Sequence, residues 1–214
     1  GNQSNHTLVL IDGVRIGSAT LGSPSLTNLP PELIERVEIV RGSRSSLYGS
    51  EAIGGVVNII TRKYHDTDGV KPMLQLGIGT QGSSKALAAI SGGNSQTQFN
   101  LSALHDNTDG IDNTASKSGV HGDKDGFEQT AYNLTASHKI NERASLFALY
   151  QNSRSESDYD TNCYGTPFAI YSCSPYSVSE VNVANIRGEF QLLQNWLLTL
   201  SAGESKDQSQ VKHH

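Results

Sequence analysis

The distribution of apolar and polar positions changes character near residue 63. Before it, apolar residues come in short, nearly unbroken runs. Thr7-Leu8-Val9-Leu10-Ile11 predicts a strand and Val14-Arg15-Ile16 its return. Asp12-Gly13 lies between them, a pair that tolerates the positive φ angles of a type I′ hairpin turn. A Gly/Ser loop over 17–25 follows. The stretch 28–34 carries Pro30-Pro31 and then Glu32, which predicts a single helical turn. Arg36-Val37-Glu38-Ile39-Val40 alternates charged and apolar residues, as a strand with one buried face does. Gly54-Gly55 opens Val56-Val57-Asn58-Ile59-Ile60, a β-branched run expected of a strand covered on both sides. Residues 1–63 therefore read as a compact mixed α/β unit.

From about residue 72 to 214 the grammar is strict alternation. Seven strands of about ten residues are expected, over 73–80, 85–91, 96–104, 130–140, 143–152, 178–193 and 196–205. Tyr132, Leu134 and Ala136 face one way while Asn133, Thr135 and Ser137 face the other. Phe99, Leu101 and Ala103 oppose Gln98, Asn100 and Ser102 in the same manner. Gly92-Gly93-Asn94 and Asn141-Glu142 are tight turns, whereas 105–128 and 153–177 are long and polar. Short turns at one end and long loops at the other characterise a transmembrane β-barrel. A soluble β-sandwich is the competing architecture, and it gives no reason for the long loops to fall on alternate hairpins. His138 shares the outward face with Ile140 and is expected at the membrane interface.

The composition fits this division. Of 214 residues, 36% are hydrophobic, and the net charge is -5, too mild and of the wrong sign for a nucleic-acid binder. No run approaches the roughly 18 apolar residues of a membrane helix, which leaves strands as the only way across. The histidines His65, His105, His121 and His138 lack the spacing of a zinc site, and no nucleophile–base arrangement is legible, so no enzymatic chemistry is expected. Cys163 and Cys173 stand in a polar, Tyr-rich segment with no metal-ligand spacing around them. A disulfide closing a short loop suits an oxidising compartment, against two free thiols. The chain opens without Met or a signal peptide and ends on His213-His214, so it is read as a fragment.

The stretches LVLIDGVRI and LPPELIERVEIVRGSRSSLYGSEAIGGVVNIITRK resemble the plug signature of TonB-dependent receptors almost continuously. The resemblance rests on Ile11-Asp12-Gly13-Val14, Arg36-Val37-Glu38, Arg41-Gly42, Leu47-Tyr48-Gly49 and the segment from Ala52 to Ile60. Ser43 departs from it, where many members have proline. The resemblance implies a plug (1–63) inside an outer-membrane β-barrel of a Gram-negative bacterium, of which residues 72–214 would be the first seven or so strands. It implies TonB as a partner, pulling a segment N-terminal to these residues, together with outer-membrane lipid and a small-molecule ligand. It places ligand contacts at the plug apex, at Leu21, Gly22 and Ser23. Arg36, Glu38 and Arg41 are expected in salt bridges between plug and barrel.

Within the family, Asp123-Lys124-Asp125-Gly126-Phe127 and Tyr159-Asp160 are similar to the cobalamin (corrinoid) receptors. That likeness implies a Ca²⁺ site formed by Asp112, Asp123, Asp125, Tyr159 and Asp160 on consecutive long loops. A further aspartate expected about a dozen residues after Asp160 has no counterpart, because 169–174 contains none. Siderophore or other metal-chelate receptors share the plug signature and are the alternative. A non-transporting barrel surface protein is the reading from a different class.

Overall fold

In the computed structural model, residues 7–17, 26–42, 52–63, 69–112, 124–159, 161–165, 169–173 and 175–213 are described. Thr27, residues 161–165 and 169–173, and His213 are described by backbone alone. Two sheets account for most of these residues. The first contains β1 (Thr7–Ile11), β2 (Val14–Ile16), β3 (Ile34–Arg41) and β4 (Gly55–Thr61), in the order β2-β1-β4-β3. β1 and β4 run parallel and the other pairs antiparallel. The β1–β2 turn has φ of 46° at Asp12 and 86° at Gly13, the two positive values of a type I′ turn. β4 is central and largely buried, as its β-branched run requires.

Two expectations for this unit need correction. The turn at 28–34 is a 3-10 helix over Pro31–Leu33, preceded by another over Leu26–Asn28, and no α-helix occurs among the described residues. The described part of the unit is a β-sheet with 3-10 turns rather than mixed α/β. Proline pre-sets φ for a first turn, but Ile34 is already extended and starts β3, so there is no room for a second turn. β3 also lacks a buried face: Val37 and Ile39 are 49% and 64% exposed. It is the edge of its sheet, and beyond Ile34, which packs against the core, both of its faces are exposed.

The second sheet is an antiparallel meander of seven strands: β5 (Gly69–Ile78), β6 (Ser84–Gly93), β7 (Thr97–Thr108), β8 (Phe127–Asn141), β9 (Ala144–Asp158), β12 (Pro175–Leu193) and β13 (Trp196–His213). It is open, with β5 and β13 at its edges. A small hairpin, β10 (Thr161–Gly165) with β11 (Ala169–Cys173), stands in the loop between β9 and β12. Turns at 94–96, 142–143 and 194–195 mark one end. The connection 79–83 and the long loops 109–126 and 159–174 mark the other.

Outward-facing apolar side chains climb each strand from the short turns and then stop. The run ends at Ile78 on β5, Ala86 on β6, Ala103 on β7, Tyr132 on β8, Tyr150 on β9, Ala184 on β12 and Ala202 on β13; on β12, Val178 and Tyr176 share that face only beyond Asn182 and Glu180. This edge slides across the register. Ile78 is level with Asn107 through Ser84, whereas Ala202 is level with Phe99 through Ile186, Ala148 and Ala136. The shift of about eight residues is roughly 26 Å along the strands, over six strand spacings of about 4.8 Å each. A flat membrane meets such an edge only when the strands lean about 40° from its normal, which is the tilt of a membrane barrel. Exposed Leu76, Leu101, Leu134, Ile186 and Leu200 below the edge then face lipid.

Inward, the same strands present Asn100, Ser102, Gln129, Asn133, Thr135, Gln151 and Asn185, all buried. Two patches break that polarity. In the smaller, Leu87, Leu104 and Ala131 of the wall close over Leu33 of the first sheet's 3-10 turn. The larger joins the two sheets directly. Phe147, Leu149, Val181 and Val183 pack with Val9, Ile11, Val14, Ile16, Leu29 and Ile59 of the first sheet as one apolar core. The first sheet is thus seated against the inward face of the second, as a plug against a wall.

Candidate functional site

At the long-loop end, three consecutive connections are tied together by backbone hydrogen bonds. The amide of Asp109 and the hydroxyl of Thr108 both donate to the carbonyl of Gln81, at 2.9 and 3.2 Å. Ser83 donates to Thr108 Oγ1 (2.9 Å), as does the amide of Gly110 (3.1 Å). Across the loop neck, the amide of Asp125 donates to Ile111 O (3.1 Å), and that of Asp158 to Gly126 O (2.9 Å). The amide of Tyr159 reaches Pro175 O at 3.2 Å. Gly110 has φ of 71°, and a Cβ there would collide with the carbonyl of Asp125, so only glycine closes this neck. A cavity of about 260 Å³ opens beside it, lined among others by Asp109, Lys124, Glu128, Glu156 and Asp158.

Three of the five residues expected to hold Ca²⁺ are described. Asp112 follows Ile111, whose carbonyl bonds Asp125, and Tyr159 follows Asp158, whose amide bonds Gly126. Asp112, Asp125 and Tyr159 therefore lie within a residue of one hydrogen-bonded neck. Asp123 and Asp160 fall outside the described residues, as do Leu21, Gly22 and Ser23. Among the described residues no cluster of three His, Cys, Asp or Glu side chains is close enough to hold a metal. The donor chemistry does fit a hard cation, because the neck offers carboxylate and carbonyl oxygens. Cys163 and Cys173 stand on β10 and β11, opposite Tyr171 and Thr161 respectively, and their side chains are outside the described set.

The plug is held by polar contacts that the sequence pattern did not single out. Asp12 is fully buried. It accepts from the hydroxyl (2.5 Å) and amide (3.3 Å) of Thr61, and its Oδ1 lies 3.1 Å from Lys63 Nζ. That last contact is an ion pair without hydrogen-bond alignment. Lys63 and Arg187 approach the ring of Phe147 at 4.6 and 4.9 Å, a pair of cation–π contacts. Asn185 donates to Asp12 O, Ser205 to Arg15 O, and Asn100 to Arg62 O. Lys85 on the wall pairs with Glu32 of the plug (2.6 Å) and with Asp106, its cross-strand neighbour (2.9 Å). Burial is the largest single influence and would raise the Glu32 pKa, but the hydrogen bond from Lys85, a backbone hydrogen bond and the charges of Lys85 and Arg62 together outweigh it, and the carboxyl is held below its ordinary value.

Among the described residues, Arg36 and Glu38 do not bridge to the wall. Arg36 pairs with Glu35 and Glu38 along exposed β3. His138 lies on the outward face beside Thr97, 2.8 Å from its hydroxyl.

The profile of the TonB-dependent receptor plug domain matches residues 1–56. The vitamin B12 transporter BtuB of Photobacterium profundum is 38% identical over 182 residues, 84% of this chain and 29% of that protein. BtuB of Vibrio cholerae serotype O1 is 34% identical over 219 aligned positions, 98% of this chain and 35% of that protein. The chain spans about a third of the length of these curated relatives. Among solved structures, the siderophore receptor PiuA from Acinetobacter baumannii superposes with a TM-score of 0.70 at 14% identity, over 97% of this chain and 30% of that one. The ferric yersiniabactin uptake receptor FyuA from Yersinia pestis does so at 0.69 and 15%, over 97% and 33%. At these identities the superpositions carry the fold alone: a plug sheet against tilted antiparallel strands. With the plug profile, the BtuB identities and the outward apolar band in agreement, the chain belongs to the TonB-dependent receptors of the Gram-negative outer membrane, a family of receptors and transporters rather than enzymes.

Proposed function

We propose that the receptor containing this chain takes up cobalamin-type corrinoids across the outer membrane, driven by TonB. The observation that carries this reading is the identity to vitamin B12 transporters along both sheets, over 84% and 98% of the chain rather than over the widely shared plug motifs alone. In this reading the plug apex at Leu21, Gly22 and Ser23 contacts the ligand from below, and the extracellular loops contact it from above. Asp112, Asp123, Asp125, Tyr159 and Asp160 hold Ca²⁺, which supplies the positive charge that lets the acid-bearing loops approach one another. Ligand affinity then rises because less ordering remains to be done on binding. A Cys163–Cys173 disulfide would shorten the second loop, and thiol alkylation without reductant tests it.

A receptor for another metal chelate is the second reading, favoured by the missing aspartate in 169–174. Cyanocobalamin binding to the complete receptor, with and without a calcium chelator, decides between them. Tight binding that weakens on chelation supports the corrinoid reading. Absence of binding alongside uptake of a ferric siderophore overturns it.

A further inference from the structure

Lys124 sits between two of the acidic positions, where a cation counts against binding another cation. Its Nζ is 3.2 Å from Asp109 Oδ2, and both side chains are more than half exposed. Asp109 is itself fixed from the neighbouring turn. Its amide is bonded to Gln81 O, and its carboxylate lies over Gly82, where a Cβ would come within 2.7 to 2.8 Å of the carboxylate oxygens. Gly82 has φ of 64°, and the residue before it, Gln81, has φ of 54°, so the turn is shaped to admit that carboxylate. Beyond Lys124, the amide of Gly126 folds back onto Lys124 O at 3.1 Å, and Asp125 is bonded to Ile111, the residue before Asp112.

We propose that Gly82, Asp109 and Lys124 form a strut that positions Asp112 and Asp125: the 79–83 turn seats Asp109, and Asp109 draws Lys124 aside. Asp109 is a positioning residue here and not a cation ligand. The inference rests on the calcium reading above and adds the residues that set the site's geometry.

Charge counting and positioning give opposite signs, which makes the strut testable. By Coulomb's law alone, Lys124→Gln removes a repelling charge and tightens cation binding. If Lys124 is a strut, the same change weakens binding, because the neck loses its tether. The measurement is Ca²⁺ and Tb³⁺ titration of the complete receptor in detergent, using Lys124→Gln, Gly82→Ala and the double variant Asp109→Asn/Lys124→Gln. Barrel integrity is followed by heat-modifiable migration on gels. The expected result is several-fold weaker binding for Lys124→Gln and for Gly82→Ala. The double variant should be no weaker than Lys124→Gln alone, because the pair acts as a unit. Lys124→Gln does not depend on the strained Gly82 position, so it carries the test if Gly82→Ala misfolds. Binding by Lys124→Gln as tight as wild type, or tighter, overturns the strut and leaves the calcium reading intact. A wild-type receptor that binds neither ion overturns both.

Discussion

Plug and wall are both β-sheets, yet they follow opposite rules. β4 of the plug lies between two neighbours, and its apolar residues continue along the strand because both faces are covered. β8 of the wall alternates without a break from Ala131 to Thr135, because one face meets the plug and the other meets lipid. The difference shows that a sheet's sequence pattern records what lies on each face rather than the sheet itself. Where the two meet, the wall takes on the plug's grammar. Leu146-Phe147-Ala148-Leu149-Tyr150 is apolar at every position, with Phe147 and Leu149 turned to the plug and Leu146 and Tyr150 turned outward.

The contrast is broken most severely at Asp12. Asp12→Ala should loosen the plug by about 4 kcal/mol, because the buried hydroxyl and amide of Thr61 both lose their acceptor and half-buried Lys63 loses its counter-charge. Amide exchange should accelerate in β1 and β4 but not in β8 and β9. Equal acceleration in the wall would mean that plug and wall are one cooperative unit. Phe147→Ala comes next, at about 3 kcal/mol from lost packing and the two cation contacts, read as release of the plug in urea. Leu134→Ala, on the outward face of β8, should leave that release unchanged. The smallest effect is Glu32→Gln, below about 1 kcal/mol for a part-exposed pair. The depressed pKa of Glu32 gives its contribution a definite sign: present above the ordinary carboxylate pKa of 4.5, and lost as pH falls through the lower folded value. Plug exchange should therefore quicken in acid in wild type, and that component should vanish in Glu32→Gln.

Much of the wall was legible in the sequence because alternation is a local signal. The seven strands and their faces follow from neighbouring residues, as does, in the plug, the turn that places Asp12 and Gly13 at positive φ. The expected strand ends fell short on the long-loop side. β9 continues to Asp158 through Ser153-Arg154-Ser155-Glu156-Ser157, polar on both faces: outward Arg154 and Glu156 have risen past the apolar edge, while inward Ser153 and Ser155 are buried against Gln129 and Asn28. Polar alternation there resembles a loop. The open faces of β3 were hidden for another reason: its alternation states that one side is apolar, not what covers it. The plug-to-wall pairs were beyond reach, since Glu32 and Lys85 are 53 residues apart and only the seating of one sheet on the other joins them. At the loop neck, Asp125 belongs to the Asp123–Phe127 motif, but the role proposed for Gly82 depends on a turn in a different hairpin.

Lys85 has two partners, one on each side of the boundary between plug and wall. Asp106 belongs to the wall and stays with Lys85 wherever the plug goes. When the plug shifts, Glu32 passes into water and Lys85 keeps a counter-charge, so neither side is left with a bare buried ion. Undocking at this contact is therefore cheap. Redocking is also guided, since a lysine already held in place by Asp106 offers the returning carboxylate a fixed target.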